Sequence, residues 1–374
     1  MLKIAIVGCG KIADAHASQI TQIDGCEIIG VCDRELLMAK QLYERFPIKY
    51  YCADLDELIS ETHPDVVHIT TPPESHFALA KNCIENGCHV YVEKPFTTSA
   101  RQAKELLDLA TANNLKITVG HNYQFSHASQ RMRALIESGY LGGAPIHMES
   151  TYGYSLANAS YARALLGDDK HWVRQLPGKL LHNIISHGIA RIAEFLTTDS
   201  PRVISHAFVS PLLKELGENE IVDELRVIIS DDEKTTAYFT FSSQMRPVLH
   251  EFRIYGVTNG IVLDQTRETV IKLHGSKLKS YADHFVSPVL GSRQSLGQVL
   301  KNLRLFLNRD FHMDHGMKHL IELFYSAIRN NTAVPIPYDQ ILLTARIMDD
   351  IFDQIAIGDL HKYCAQQADP VGSL

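Results

Sequence analysis

Lys3-Ile4-Ala5-Ile6-Val7-Gly8-Cys9-Gly10-Lys11-Ile12-Ala13 is the stretch that decides the fold. Four apolar residues run without interruption from Ile4 to Val7 and are closed by glycine, the pattern of a strand buried on both faces. Gly8-Cys9-Gly10-Lys11-Ile12-Ala13 then reads GxGxxA. In such a motif the first glycine allows a tight turn and the second lets backbone approach a pyrophosphate. The small third residue lets the following helix pack close to the strand. Unpaired amides at that helix start attract phosphate. The motif follows a strand and opens a helix that starts at Lys11, which is the context a dinucleotide site requires. Gly8, Gly10, Lys11 and Ile12 are therefore expected at the cofactor.

Working outward, Glu27–Cys32 is a second apolar strand ending at Asp33. Asp33 lies 23 residues beyond Gly10, where a carboxylate accepts hydrogen bonds from adenosine ribose hydroxyls. It favours NAD, because a 2′-phosphate would meet like charge there. Arg34, next in sequence, keeps NADP as the second choice. Strands 66–69, 89–92 and 116–119 follow, with helical spacing over 34–46, through Phe77, Ala80 and Ile84, and over 99–112. Alternating strands and helices predict a doubly wound parallel sheet whose ligands gather at the strands' carboxyl ends.

Composition narrows the function. At 374 residues and about 150 per domain the chain holds at least two domains. Residues 1–121 are expected as the dinucleotide-binding domain and 122–374 as a substrate and oligomerisation domain, with the last helices free to pack back on the first. A net charge of -7 without a Lys/Arg block argues against a nucleic-acid partner. Neither an HExxH motif nor a Cys/His cluster has metal-ligand spacing, so no metal is expected. Seven cysteines without a CxxC pair read as free thiols in a reducing cytoplasm. No apolar run approaches membrane-spanning length.

Glu93-Lys94-Pro95 closes the strand at 89–92. Together with GCGKIA at 8–13, TPPESH at 71–76, VEKPF at 92–96, VGHNYQF at 119–125 and GYLGG at 139–143, it resembles the Gfo/Idh/MocA oxidoreductases, the glucose-fructose oxidoreductase and inositol dehydrogenase group. The resemblance covers about the first 145 residues. It implies an N-terminal Rossmann domain followed by an α/β domain with an open, mainly antiparallel sheet. It also implies that Lys94 stands beside nicotinamide and substrate, with the 71–76 loop, Thr71 and Pro72 included, along the cofactor; His76 either caps its helix or faces the cofactor. Glu93 and Asn122 are expected beside the cofactor, and Tyr123 near the substrate. A lysine near a cationic ring is pushed toward its neutral form and can then take or relay a hydroxyl proton.

A second family signature is a helix carrying Asp and His four residues apart. Here Asn183 and His187 hold those places, on one helical face. An amide orients a hydroxyl but takes no proton, so proton handling falls to Lys94 and His187. His182 is a further substrate-side candidate. Tyr161, Arg163, His171, Trp172 and Arg174 make 154–176 an aromatic and basic stretch suited to a sugar or an anionic sugar; Trp172 and Arg174 are its substrate-binding candidates.

Seven strands are expected at 144–153, 203–209, 221–230, 234–242, 250–256, 260–264 and 269–273, and helices at 183–197, 292–308, 315–331 and 339–357. The uncovered sheet face is expected to be apolar and to pair subunits into a homodimer or homotetramer. The reading is an NAD(P)-dependent oxidoreductase acting on a secondary alcohol of a sugar, cyclitol or nucleotide-linked sugar. Its alternatives are a glycosidase-type enzyme that uses NAD transiently and a non-catalytic nucleotide-binding sensor.

Overall fold

The computed structural model describes residues 1–156, 165, 168, 170–231, 234–275, 280–311 and 314–368. Its first sheet contains β1 (Leu2–Val7), β2 (Cys26–Cys32), β3 (Tyr51–Cys52), β4 (Val66–Ile69), β5 (His89–Val92) and β6 (Ile117–Val119). All are parallel, in the order β3-β2-β1-β4-β5-β6. The crossovers carry α1 (Lys11–Ile20), α2 (Leu36–Arg45), α3 (Leu55–Thr62), α4 (His76–Glu85) and α5 (Ala100–Ala112). Every residue of β4 is buried, as the uninterrupted Val66-Val67-His68-Ile69 pattern requires. The strand order reverses between β1 and β4, so the Gly8 turn and the Thr70-Thr71 turn lie side by side. Thr70 Oγ1 links them, donating to the carbonyls of Val7 (3.0 Å) and Gly8 (2.6 Å).

The second sheet holds β7 (His147–Gly153), β8 (Arg202–Phe208), β9 (Glu224–Asp231), β10 (Thr235–Ser242), β11 (His250–Tyr255), β12 (Asn259–Asp264) and β13 (Thr269–His274). Their order is β13-β12-β11-β7-β10-β9-β8. All neighbouring pairs are antiparallel except β7 with β10. Among the described residues, the remaining α-helices are α6 (His127–Glu137), α7 (Trp172–Gln175), α8 (Lys179–Ile184), α9 (Ser186–Ala193), α10 (Pro211–Glu215), α11 (Ser280–Leu307), α12 (His315–Asn330) and α13 (Tyr338–Ala368).

The helix expected over 183–197 divides at Ile185 into α8 and α9. Its apolar stripe still faces the second sheet. Gly188 is needed there because a Cβ would stand 2.3 Å from Cε2 of the Phe239 ring. The two-residue strand β3 and the helices α3 and α6 have no counterpart in the sequence reading. Helix α11 is longer than expected and begins at Ser280. The uncovered face of the second sheet is mixed rather than a continuous apolar patch. Ile204, Ile228 and Tyr238 form one exposed cross-strand row, and Tyr238 in turn pairs with Glu149.

Two cores result, and chain order does not separate them. Met317, Leu320, Ile321, Phe324 and Tyr325 of α12, with Ile336 and Ile341, belong to the core under the first sheet. Phe352 and Ile351 of α13 belong to the second. Phe324 is fully buried. Phe324→Ala should therefore destabilise the fold by about 3–5 kcal/mol through lost transfer energy and the cavity left behind. Chemical denaturation measures this, and a loss below about 1 kcal/mol would show that α12 is not integral to the first core.

Candidate active site

At the carboxyl ends of β1 and β2 lies a cleft of about 600 Å³ lined by Gly8, Gly10, Asp33, Arg34, Thr71 and Pro72. Gly8 has φ +90°, a conformation that L side chains rarely adopt, and a Cβ there would meet Thr71. Gly10 is the N-cap of α1, and nothing lies within 4 Å of where its Cβ would be. Open backbone at a helix start is the cradle a pyrophosphate needs, so these residues fit a dinucleotide. Lys11 and Ile12 sit on the exposed first turn of α1. The Asp33 carboxylate already accepts from the backbone amides of Cys9 (2.7 Å) and Glu35 (2.9 Å). These contacts fix its position at the cleft wall, beside the exposed Arg34.

His76 takes a different place. It is fully buried, with Nδ1 at 2.9 Å from the Pro95 carbonyl and Nε2 at 2.9 Å from the Thr71 carbonyl. It ties the 71–76 turn to the Lys94-Pro95 turn and does not line the cleft. Burial holds its pKa down, so the neutral ring donates to one of these carbonyls at a time.

Lys94 follows β5. Its Nζ donates to the backbone carbonyl of Asn183 (3.0 Å) and reaches the Asn183 side-chain oxygen at 3.4 Å. The contact spans the first sheet and the helices on the second. Burial lowers the Lys94 pKa, and the neighbouring Glu93 carboxylate opposes that fall. Glu93 is itself buried, which alone would raise its pKa. The His16 hydrogen bond and the nearby positive charge outweigh this and the net shift is downward.

His187, one turn after Asn183, is held well below the ordinary histidine range, first by burial and next by the Lys94 charge. Its Nδ1 is buried without a hydrogen-bond partner among the described residues. Its ring lies 4.4 Å from that of Tyr123 and 6.0 Å from that of His121. Asn122 accepts from Tyr91 OH at 2.8 Å. The Tyr123 carbonyl accepts from Arg191 (2.7 Å), Ser129 (2.7 Å) and Gln265 (3.1 Å), which fixes the turn after β6. A second cleft, of about 480 Å³, opens beside Asn122, Tyr123 and His250 and reaches Glu268 and His315.

The structure thus gathers Lys94, Asn183, His187, Asn122 and Tyr123, with Glu93 behind them. It places other candidates elsewhere. His182 is buried, stacks on Phe352 and lines a small cavity with His121 and Ser186. Arg174 is paired with Glu218, both side chains being largely buried, and donates to the Leu165 carbonyl. Trp172 packs at the edge of the second core, beside His171. Tyr161 and Arg163 lie outside the described residues. The sequence reading missed His121, Tyr152, His250 and Arg191. Tyr152 and His250 face each other in the β7–β11 register and stack 4.2 Å apart. Only the strand pairing brings them together, so no local motif signals them.

The family model described as an oxidoreductase family with an NAD-binding Rossmann fold, GFO_IDH_MocA, matches residues 2–121. Among curated proteins, the D-glucoside 3-dehydrogenase of Escherichia coli (strain K12) is 31% identical over 142 residues, 38% of this chain and 40% of that protein. The 4-carboxy-2-hydroxymuconate-6-semialdehyde dehydrogenase of Sphingobium sp. is 24% identical over 217 residues, 58% of this chain and 65% of that protein. The matched stretch spans less than two thirds of either relative's length. Among solved structures, the WlbA dehydrogenase of Bordetella pertussis, in complex with NADH and UDP-GlcNAcA, superposes with a TM-score of 0.75 at 15% identity, covering 96% of each chain. The UDP-N-acetylglucosamine 3-dehydrogenase of Acidithiobacillus ferrooxidans gives 0.70 at 18% identity, covering 94% of this chain and 98% of that one. At these identities the structural likeness is one of fold, and it extends across both sheets. The matching stretch, residues 2–121, carries the glycine turn and the strand-end lysine, and over it the chain is similar to the Gfo/Idh/MocA oxidoreductases and their NAD-binding Rossmann fold.

Proposed function

We propose that this protein is an NAD-dependent oxidoreductase acting on a secondary alcohol of a sugar, cyclitol or nucleotide-linked sugar, with NADP as the weaker cofactor. Residues 1–121 would bind the dinucleotide and residues 122–374 the substrate, with α12 packed back on the first sheet. The observation that carries the reading is the meeting of Lys94 with the Asn183–His187 segment, across the two sheets. The relatives' activities, on a D-glucoside and on UDP-N-acetylglucosamine, support the substrate class.

When bound along Gly8, Gly10 and Asp33, NAD supplies the two-electron acceptor for the hydrogen on the alcohol carbon. The chain's own residues handle the proton. Lys94, its ammonium disfavoured by burial, accepts the hydroxyl proton on Nζ. His187, kept neutral, has a buried Nδ1 free to hydrogen-bond the same hydroxyl. The Asn183 amide orients the alcohol and the lysine together. Tyr123 and His250 line the second cleft and offer ring faces on which a sugar can lie, with the buried Tyr152 stacked behind His250.

We further propose a homo-oligomer joined across the exposed face of the second sheet, in the reducing cytoplasm that the free described cysteines suit. Sedimentation at micromolar concentration should show an assembly, and a stable monomer overturns that part. Asp33→Ala should weaken NAD binding and narrow the gap between NAD and NADP; calorimetry that finds NADP bound more tightly by the wild type refutes the cofactor assignment.

A panel of free and nucleotide-linked sugars, followed by the absorbance of reduced nicotinamide, identifies the substrate. With it, Lys94→Met or His187→Ala should leave NAD affinity near normal and lower turnover by about 10²–10⁴-fold. Wild-type turnover in either variant rules out the mechanism. Asn183→Asp should keep activity. Its added carboxylate favours the Lys94 ammonium, raising that pKa, so the acidic limb of the oxidation profile should move to higher pH. A limb that stays put, or moves to lower pH, contradicts the placement of Lys94 as the base.

A further inference from the structure

Behind Glu93 runs a buried line of polar groups that the proposed chemistry does not use. Glu93 Oε1 lies 2.9 Å from His16 Nε2, His16 Nδ1 lies 2.8 Å from His68 Nδ1, and His68 Nε2 lies 2.8 Å from Tyr325 OH. His16, His68 and Tyr325 are fully buried and Glu93 is 6% exposed. His16 comes from α1, His68 from β4 and Tyr325 from α12, so three separate elements supply the line.

The donors and acceptors allow one self-consistent assignment with both rings neutral. A carboxylate can only accept, so His16 carries its proton on Nε2. Its Nδ1 then accepts from His68 Nδ1–H, which leaves His68 Nε2 to accept from the Tyr325 hydroxyl. All three bonds point toward Glu93, and dipoles aligned in this way reinforce one another in a low-dielectric interior. Burial holds His68 neutral. The far end stops at Tyr325, which has no exposed surface, so the line has no outlet to solvent. It is suited to holding charge in place and not to conducting protons.

We propose that His16, His68 and Tyr325 are positioning residues that keep Glu93 ionised and aimed, and that set the proton affinity of Lys94 through it. This rests on the reading of Lys94 as the proton-transfer group. The other titratable groups that interact with Glu93 are Lys94, His76, His121 and Tyr91; those around Lys94 are Glu93, His121 and His187, with Asn183 as its hydrogen-bond partner. Tyr91 stacks on His68, while Cys26 and Arg329 adjoin Tyr325. Through this line a helix from the last sixth of the chain bears on the site.

The test needs no substrate. In NAD-bound protein carrying 13C-enriched lysine, the Lys94 ε-methylene resonance is assigned by its loss in Lys94→Arg and titrated with pH. The near-isosteric Tyr325→Phe and the more disruptive His16→Leu should each lower the Lys94 midpoint, by about half a unit or more for His16→Leu. His16→Gln keeps an N–H for Glu93 and should restore the midpoint, and adding Tyr325→Phe to it should then change nothing. Side-chain 15N shifts should show His16 protonated on Nε2 and His68 on Nδ1. An unchanged Lys94 midpoint in a folded Tyr325→Phe, or the opposite tautomers, overturns the proposal. If Lys94→Met retains full turnover while these shifts appear, the catalytic reading fails and the line still stands.

Discussion

A fully parallel sheet must bury both of its faces, and here the local crossovers do not complete that cover. Helix α12, about two hundred residues after β6, closes it with Leu320, Ile321, Phe324 and Tyr325. Much of the rest follows from this packing. Because the chain returns to the first sheet after building the second, the two sheets are bound by more than a linker. The cleft between their helices is then a fixed feature. Gly316, at the start of α12, sits so close to the Asn122 carbonyl that a Cβ would stand 2.4 Å away. The packing that seals the first core therefore also fixes the turn that presents Asn122 and Tyr123.

The same return determines the electrostatics. Lys94 and Glu93 are adjacent in sequence and are opposite charges in a water-poor site. Neither would be favourable alone, since a buried charge without a partner is costly. Glu93 is matched by His16 and Lys94, and Lys94 by Glu93 and two Asn183 oxygens. His187, close to the lysine charge, stays neutral. The resulting site holds one amine with its ammonium disfavoured and one neutral imidazole with an open nitrogen, a pairing fitted to moving a single proton.

Glycine placement shows how local sequence and long-range packing divide the work. Gly8 and Gly10 are needed for reasons visible in the motif itself, a left-handed turn and an open approach to backbone. Gly188 is needed because Phe239, on a strand some fifty residues later, occupies the space a side chain would take. The same contrast separates Lys94, which the EKP turn announces, from His250, which meets Tyr152 through strand register alone. Trp172 and Arg174 show the reverse. Their composition suggests sugar binding, yet Arg174 is held by Glu218, a partner 44 residues away.

The alternation of apolar strands and helical periods determined five of the six strands of the first sheet, the dinucleotide turn and the places of Asp33 and Lys94, because each depends on contacts within one βαβ unit. Period-two patterns and short turns likewise located the strands of the second sheet to within a few residues. Tertiary structure alone decided the rest: the parallel β7–β10 pairing, the break at Ile185, the mixed character of the open sheet face, the burial of His76 and His182, and the line from Tyr325 to Glu93. Each of these turns on which distant side chain fills a given space or satisfies a given buried nitrogen. A one-dimensional pattern carries no such distance, so a histidine that meets another histidine 52 residues away reads, in sequence, the same as one that meets water.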